Sequence, residues 1–443
     1  MIVPEPRRHR TRWPAAWSAA AILSLAAGAA ATAGVSCCGG QPQADKDHLQ
    51  RMMVRNGAAE LRRQAGHARA EDDYQTAVER LRRYLDLHPD DHEAQEELLE
   101  VASLRALPTE SRPLLEAQAT LPGQFRTHET RRFIVLSDAD PQWTRNQAER
   151  LERAYHQFQR FARRHGLSPL PLEHKLVCIL FERYEDYQSF AAEHDAVADP
   201  WIAGYYAPQH DRIVFYNIES NPQLLRARSK LTDLEEELQS LNHKAAEAER
   251  NGDPHRADAL RNHAAQYEAH MKNERLRVEA FARRVMVATT VHEAVHQLAF
   301  HTRIQSPYVH YPLWISEGLA TAFETDTPGH AFGPDHEYEP RRETFEKMLA
   351  KDQIIPVATL ARLSDLNGAP EWQVRAVYHQ SYALFTWVDR FRAEELRHYL
   401  HGLRREPAGR QDPQRLLEIF TNAFGDPEQL ERAWLRHERR GLE

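Results

Sequence analysis

The segment Val291-His292-Glu293-Ala294-Val295-His296 carries two histidines four residues apart. At that spacing two side chains share one face of a helix, so both rings can reach one ion. Neutral imidazoles suit Zn²⁺, and Glu293 beside them is placed to take a proton from a metal-bound water. A zinc site that does chemistry needs a third protein ligand and keeps a fourth position open. Trp314-Ile315-Ser316-Glu317-Gly318-Leu319-Ala320 follows a short loop later, and Glu317 is its candidate ligand. The chain holds 25 histidines, so the spacing alone could arise by chance on an amphipathic helix with two solvated rings. The context decides between the two. Phe281, Val285, Ala288 and Thr289 carry a helical period into His292 with no proline or glycine between them.

The elements that must position these residues can be read outward from them. Residues 307–312 form the loop between the two helices, with Pro312 suited to a first helical turn. Gly318, Ala320 and Ala322 are small enough to let the second helix approach its neighbour and bring Glu317 to the metal. His301 and His310 lie nearby, as rival ligands or substrate contacts on one reading and as surface histidines on the other. Upstream, residues 133–136 read as a short strand, 143–165 as a helix, 176–181 as a buried strand and 184–193 as a short helix. Residues 204–206 and 212–216 flank the turn Pro208-Gln-His-Asp211 as a β-hairpin. Downstream come helices over 341–350, 372–391, 393–403, 414–420 and 427–440, a second lobe, after a surface loop over 326–342.

Three further regions differ in pattern. Leu231, Leu234, Leu238, Leu241, Ala245 and Ala248 follow heptad spacing. Asn251-Gly-Asp-Pro254 breaks it, and Ala257, Leu260, Ala264, Tyr267, Met271, Val278 and Phe281 resume it around Glu274. Residues 221–280 therefore predict an antiparallel coiled-coil hairpin, either a lid or partner-binding arm or a plain spacer. Residues 41–48 read as a linker. After it, the helix face of Tyr74, Ala77, Val78, Leu81, Tyr84 and Leu85 breaks at Pro89-Asp90-Asp91 and restarts with Ala94, Leu98, Val101 and Ala102, like a tetratricopeptide unit. The 41–120 region is a partner groove or a helical prefix on the catalytic domain. Residues 1–40 join a basic start, Arg7 to Arg12, to an apolar, alanine-rich run and then Cys37-Cys38. That is an export signal, a lipoprotein signal or a retained membrane anchor, and it predicts the periplasm or cell envelope.

The motif resembles the gluzincin metallopeptidases: His292-Glu293-x-x-His296 followed by Trp314-x-x-Glu317-Gly318-x-Ala320-x-x-x-Glu324. The wider layout is most similar to an uncharacterised bacterial peptidase-like family, domain of unknown function 1570. The resemblance implies an α+β, zincin-like catalytic domain over 121–220 plus 281–443. It implies Zn²⁺ held by His292, His296 and Glu317, with Glu293 as general base and Glu324 behind the ligands or at the surface. Tyr378-His-Gln-Ser-Tyr-Ala-Leu384 is similar to the stretch that carries an oxyanion-stabilising tyrosine in the aminopeptidases, which implies Tyr378, with Tyr382 as the alternative donor. Ser381 stands where glycine is usual, and no Gly-x-Met-x-Asn segment precedes the motif, so the likeness extends to zinc hydrolysis rather than to trimming of amino termini. It also implies that the hairpin supplies a sheet edge for the substrate backbone.

Composition sets the outer bounds. A net charge of −8 leaves no nucleic-acid footprint. Three cysteines cannot make a disulfide framework, and Cys178, inside an apolar run, reads as a small buried hydrophobe. The function expected is an exported zinc metallopeptidase acting on a peptide or protein substrate. The alternative is a cell-envelope adaptor that uses its helical prefix and coiled arm around a structural or vestigial zinc site.

Overall fold

The computed structural model describes residues 43–88, 91–167, 169–199, 202–366 and 369–440. The export or lipoprotein signal expected over 1–40 lies outside these residues. Among the described residues no helix is long and apolar enough to cross a membrane.

Three helices come first: α1 (Gln43–Ala70), α2 (Tyr74–Leu87) and α3 (His92–Leu104). The apolar face of α2, Ala77, Val78, Leu81 and Leu85, closes on Ala65 and Ala68 of α1 and on Ala94, Leu98 and Val101 of α3. This is a small core of its own, and Asp73 and Asp91 start α2 and α3 by accepting from the Thr76 and Ala94 amides. The linker expected over 41–48 is helix from Gln43 onward, since nothing in the sequence after Pro42 interrupts one.

Next come α4 (Arg112–Thr120), β1 (Arg126–Glu129), β2 (Phe133–Ser137), α5 (Pro141–Arg164), β3 (Leu176–Phe181), α6 (Tyr184–His194), β4 (Gly204–Ala207) and β5 (Arg212–Tyr216). The strands form one five-stranded sheet in the order β1-β2-β3-β5-β4. β2, β3 and β5 run parallel, and the edge strands β1 and β4 run antiparallel to their neighbours. Successive side chains point to opposite faces, and both faces are covered, so the central strands are apolar except for Ser137 at the end of β2 and Arg212 at the start of β5. Phe133, Val135, Cys178, Leu180, Ile213 and Phe215 face the core that holds α5. Ile134, Leu136, Val177, Ile179, Phe181 and Val214 face the other, with α4 and α6.

Beyond the sheet lie α7 (Pro222–Arg250) and α8 (Pro254–His301). Each begins with a capping side chain before a proline, Asn221 and Asp253. Gly252, at φ +74°, turns the chain between them. Together they make the expected antiparallel arm, and α8 is one continuous helix of 48 residues that runs from the arm into the histidine motif. Leu231, Leu241, Ala245 and Ala248 of α7 are buried, as are Ala257, Ala264 and Val278 of α8. Glu274 is buried among them and accepts from Arg277.

The rest is helical: α9 (Leu313–Thr321), α10 (Glu339–Ala350), α11 (Val357–Leu360), α12 (Glu371–Phe391), α13 (Ala393–Arg404), α14 (Pro413–Phe424) and α15 (Pro427–Arg440). Pro312 is the N-cap of α9 rather than part of its first turn. The segment expected as a surface loop over 326–342 is tied inward. Phe332 and Tyr338 are buried, the Tyr338 amide donates to the Tyr382 hydroxyl at 2.8 Å, and α10 begins at Glu339. The chain is thus α+β, mostly helical around a small sheet.

Candidate metal centre

The final turns of α8 are buried on every side, and Val291, Ala294, Val295 and Leu298 pack into the core above the sheet. This fixes the rotation of the helix and turns His292 and His296 toward α9. Trp314 anchors α9 from the far side. It is fully buried, donates to the Tyr399 hydroxyl at 3.1 Å and packs edge-on against Phe420 and Phe424. Gly318 lets α9 sit against α12. A Cβ there would lie 2.8 Å from the Ser381 carbonyl oxygen and 2.9 Å from Phe385 Cβ. Gly204 does the same for the sheet edge: a Cβ would lie 2.8 Å from Thr289 Cγ2, so β4 can lie directly on α8.

These contacts bring three donor atoms together. His292 Nε2 and His296 Nε2 are 3.1 Å apart, and Glu317 Oε2 is 3.2 Å from the first and 3.6 Å from the second. Two metal–ligand bonds of roughly 2.0–2.1 Å at a tetrahedral angle span about 3.3 Å, so the triangle has a size that could hold one metal ion. All three side chains are almost wholly buried. The other ring nitrogen of His292, Nδ1, lies 3.0 Å from Glu324 Oε1. A carboxylate can only accept, so Nδ1 carries a proton, and Nε2 is the nitrogen that turns to the other two donors and would bind an ion. Arg341 holds Glu324 in turn, with Nε and Nη2 at 2.8 and 2.7 Å from its two oxygens.

The charges point the same way. Glu317 and Glu324 are two buried carboxylates held charged beside one buried guanidinium, Arg341, and without an ion the remaining positive charge comes from a proton on His292, a place that a bound cation would take. Burial works against the charged forms of Glu317 and Glu324. The imidazoles of His296 and His292 nevertheless hold Glu317 down to about 2, and Arg341 with His292 holds Glu324 there as well. Burial also opposes charge on His292, but Glu317 and Glu324 overcome it and push that ring up to about 10. Glu293 behaves differently. Burial pushes it up to about 8 against the pull of His292, and Glu317 adds to the rise. Both its carboxylate oxygens are buried without a hydrogen bond. The Tyr206 amide of β4 favours the charged form electrostatically, without closing a bond.

The two candidate tyrosines are both buried and differ in their surroundings. The Tyr378 ring stacks beside His292, centroids 6.4 Å apart. The Tyr382 hydroxyl oxygen accepts from the Tyr338 amide at 2.8 Å. His301 lies against Asp211, and neither it nor His310 is among the ligand-type atoms that meet at His292, His296 and Glu317. Arg341 had no signal in the sequence. Arg341 is one of two adjacent arginines at a helix start, and its partner lies 17 residues away.

Residues 286–408 match the model of a family described as "Protein of unknown function (DUF1570)". The matched stretch runs from within α8 to just past α13 and contains every residue of the cluster. No curated protein and no solved structure matches the chain.

Proposed function

We propose that this chain is a zinc-dependent peptidase of gluzincin type, with a zincin-like catalytic domain, a tetratricopeptide-like helical prefix and an inserted coiled arm. The observation that carries the reading is Glu293, a buried carboxylate with both oxygens unbonded, beside three donor atoms at zinc-ligand spacing. His292, His296 and Glu317 would hold the ion. When bound, Zn²⁺ would acidify a coordinated water and polarise a substrate carbonyl. Glu293 would accept a proton from water at one Oε and return it to the leaving amine nitrogen. Tyr378 would donate its hydroxyl proton in a hydrogen bond to the carbonyl oxygen as that oxygen gains charge. β4, lying on α8 at Gly204, would offer its backbone to an extended peptide. The basic and apolar start of the chain supports export to the periplasm or cell envelope.

An adaptor with a merely structural zinc would leave Glu293 without a task, at the cost of a buried and unsatisfied carboxylate. The test is digestion of a peptide library by zinc-loaded protein. The expected outcome is cleavage by the wild type and a loss of at least about 10²-fold in Glu293→Gln with zinc content unchanged. Equal cleavage by the two proteins would remove Glu293 as the base, and no cleavage of any peptide by the loaded wild type would remove the peptidase reading.

A further inference from the structure

The far end of α8 carries a second cluster. His174 in the loop before β3, Asp211 in the β4–β5 turn and His301, the last residue of α8, place three ligand-type atoms within 4.8 Å of one another. His301 Nε2 lies 2.7 and 2.8 Å from the two oxygens of Asp211, and His174 Nε2 lies 3.9 Å from Asp211 Oδ2. The two rings meet edge to face, centroids 5.4 Å apart, so both nitrogens point to one region. All three side chains are half-buried.

Three observations favour an ion over a simple hydrogen-bonded knot. First, His174 Nδ1 lies 3.0 Å from the Lys175 carbonyl oxygen. A carbonyl can only accept, so Nδ1 carries a proton and Nε2 is the nitrogen turned toward Asp211. In the neutral ring that nitrogen is a lone-pair donor beside a carboxylate, a pairing that a divalent cation can bridge. Second, the carboxylate of Asp211 sits at the carbonyl end of a long helix, where the dipole disfavours an anion and favours a cation. Third, the frame is built without the ion. The Leu170 amide donates to the Thr302 carbonyl at 2.8 Å, and Gln297 Nε2 reaches the Val177 and Asp211 carbonyls at 3.4 and 3.3 Å. Asp211 is held at φ +50°, a conformation uncommon outside glycine, asparagine and aspartate, and the Tyr206 hydroxyl donates to its Oδ1 at 3.0 Å.

We infer that His174, Asp211 and His301 form a second divalent-cation site, a clip that pins the hairpin turn and the lead-in to β3 onto the end of α8. Two imidazoles and one carboxylate select Zn²⁺, Co²⁺ or Ni²⁺ over Ca²⁺ or Mg²⁺. His301 lies five residues beyond His296, about 7.5 Å along the helix and about 140° round it, so the two clusters take separate ions. The clip does not depend on the proposed peptidase activity.

The experiment is zinc stoichiometry. The full chain is stripped with a chelator, equilibrated with micromolar Zn²⁺, freed of excess metal and assayed for bound zinc. The wild type is expected to hold two equivalents, His174→Ala one, His296→Ala one and the double variant none. Asp211→Asn is the second probe, because asparagine tolerates the same backbone conformation and lacks the charge; it too should lose one equivalent. Melting curves establish that each variant is folded. The clip is overturned if folded His174→Ala and Asp211→Asn hold as much zinc as the wild type. A single wild-type equivalent lost in His174→Ala and kept in His296→Ala would instead support the clip and remove the ion proposed at His292, His296 and Glu317.

Discussion

His292 uses both ring nitrogens, one toward Glu317 and His296 and one toward Glu324, and that double use makes its partner testable. Glu324→Gln keeps the shape of the side chain but removes the charge that fixes the proton on Nδ1. The expected effect is roughly 10–100-fold weaker zinc binding, read by competition with a chromophoric chelator; unchanged affinity would show that Glu324 only satisfies Arg341. The two tyrosines give a second comparison. Tyr378→Phe should lower kcat by about 10²–10³ with zinc content intact, as removal of an oxyanion donor does. Tyr382→Phe should leave kcat in place and cost about 1 kcal/mol of stability, because its hydroxyl serves the Tyr338 amide. A reversed pair of results would exchange their roles. The three proposed ligands were legible from spacing because two of them lie one helical turn apart. Glu324 was visible only through the family resemblance, seven residues beyond Glu317, and Arg341 not at all, since its meaning comes from a partner brought to it by folding.

At the level of elements, the site depends on how closely α9 can approach α12. Gly318 has the Ser381 carbonyl oxygen and Phe385 Cβ where its own Cβ would stand. Gly318→Ala should therefore push α9 outward, destabilise the fold by about 1–3 kcal/mol in urea and weaken zinc binding through its neighbour Glu317. A variant as stable as the wild type would mean that the helices can part at little cost. The small residues around Gly318 announced a close helix contact in the sequence, but not that α12 would be the partner; the heptads announced the arm and the unbroken apolar run announced β3. β1 was missed because its four residues, Arg-Thr-His-Glu, are polar and largely exposed on a sheet edge. The order of the strands was equally silent, because the β2–β3–β5 pairing joins segments separated by whole helices. The His174–Asp211–His301 cluster shares that cause: three loop and terminal positions meet only when the sheet is laid on α8.

For the molecule as a whole, α8 is the shared beam. It forms one side of the arm, covers parts of both sheet faces, carries the proposed zinc ligands and ends at the proposed clip. A cation bound only by the folded chain adds stability by mass action, about 2.7 kcal/mol at a hundredfold excess over Kd. In the His174→Ala background, where the clip is disabled, a chelator should still lower the Tm, and zinc should restore it; a Tm indifferent to zinc would mean that His292, His296 and Glu317 bind no ion in the folded chain. The most direct measurement is anomalous scattering at the zinc edge from crystals of the zinc-loaded full chain. The account predicts a peak about 2.0–2.2 Å from His292 Nε2, His296 Nε2 and a Glu317 carboxylate oxygen, with no fourth side chain on it. Density that shows these three side chains well ordered with no peak between them would contradict it.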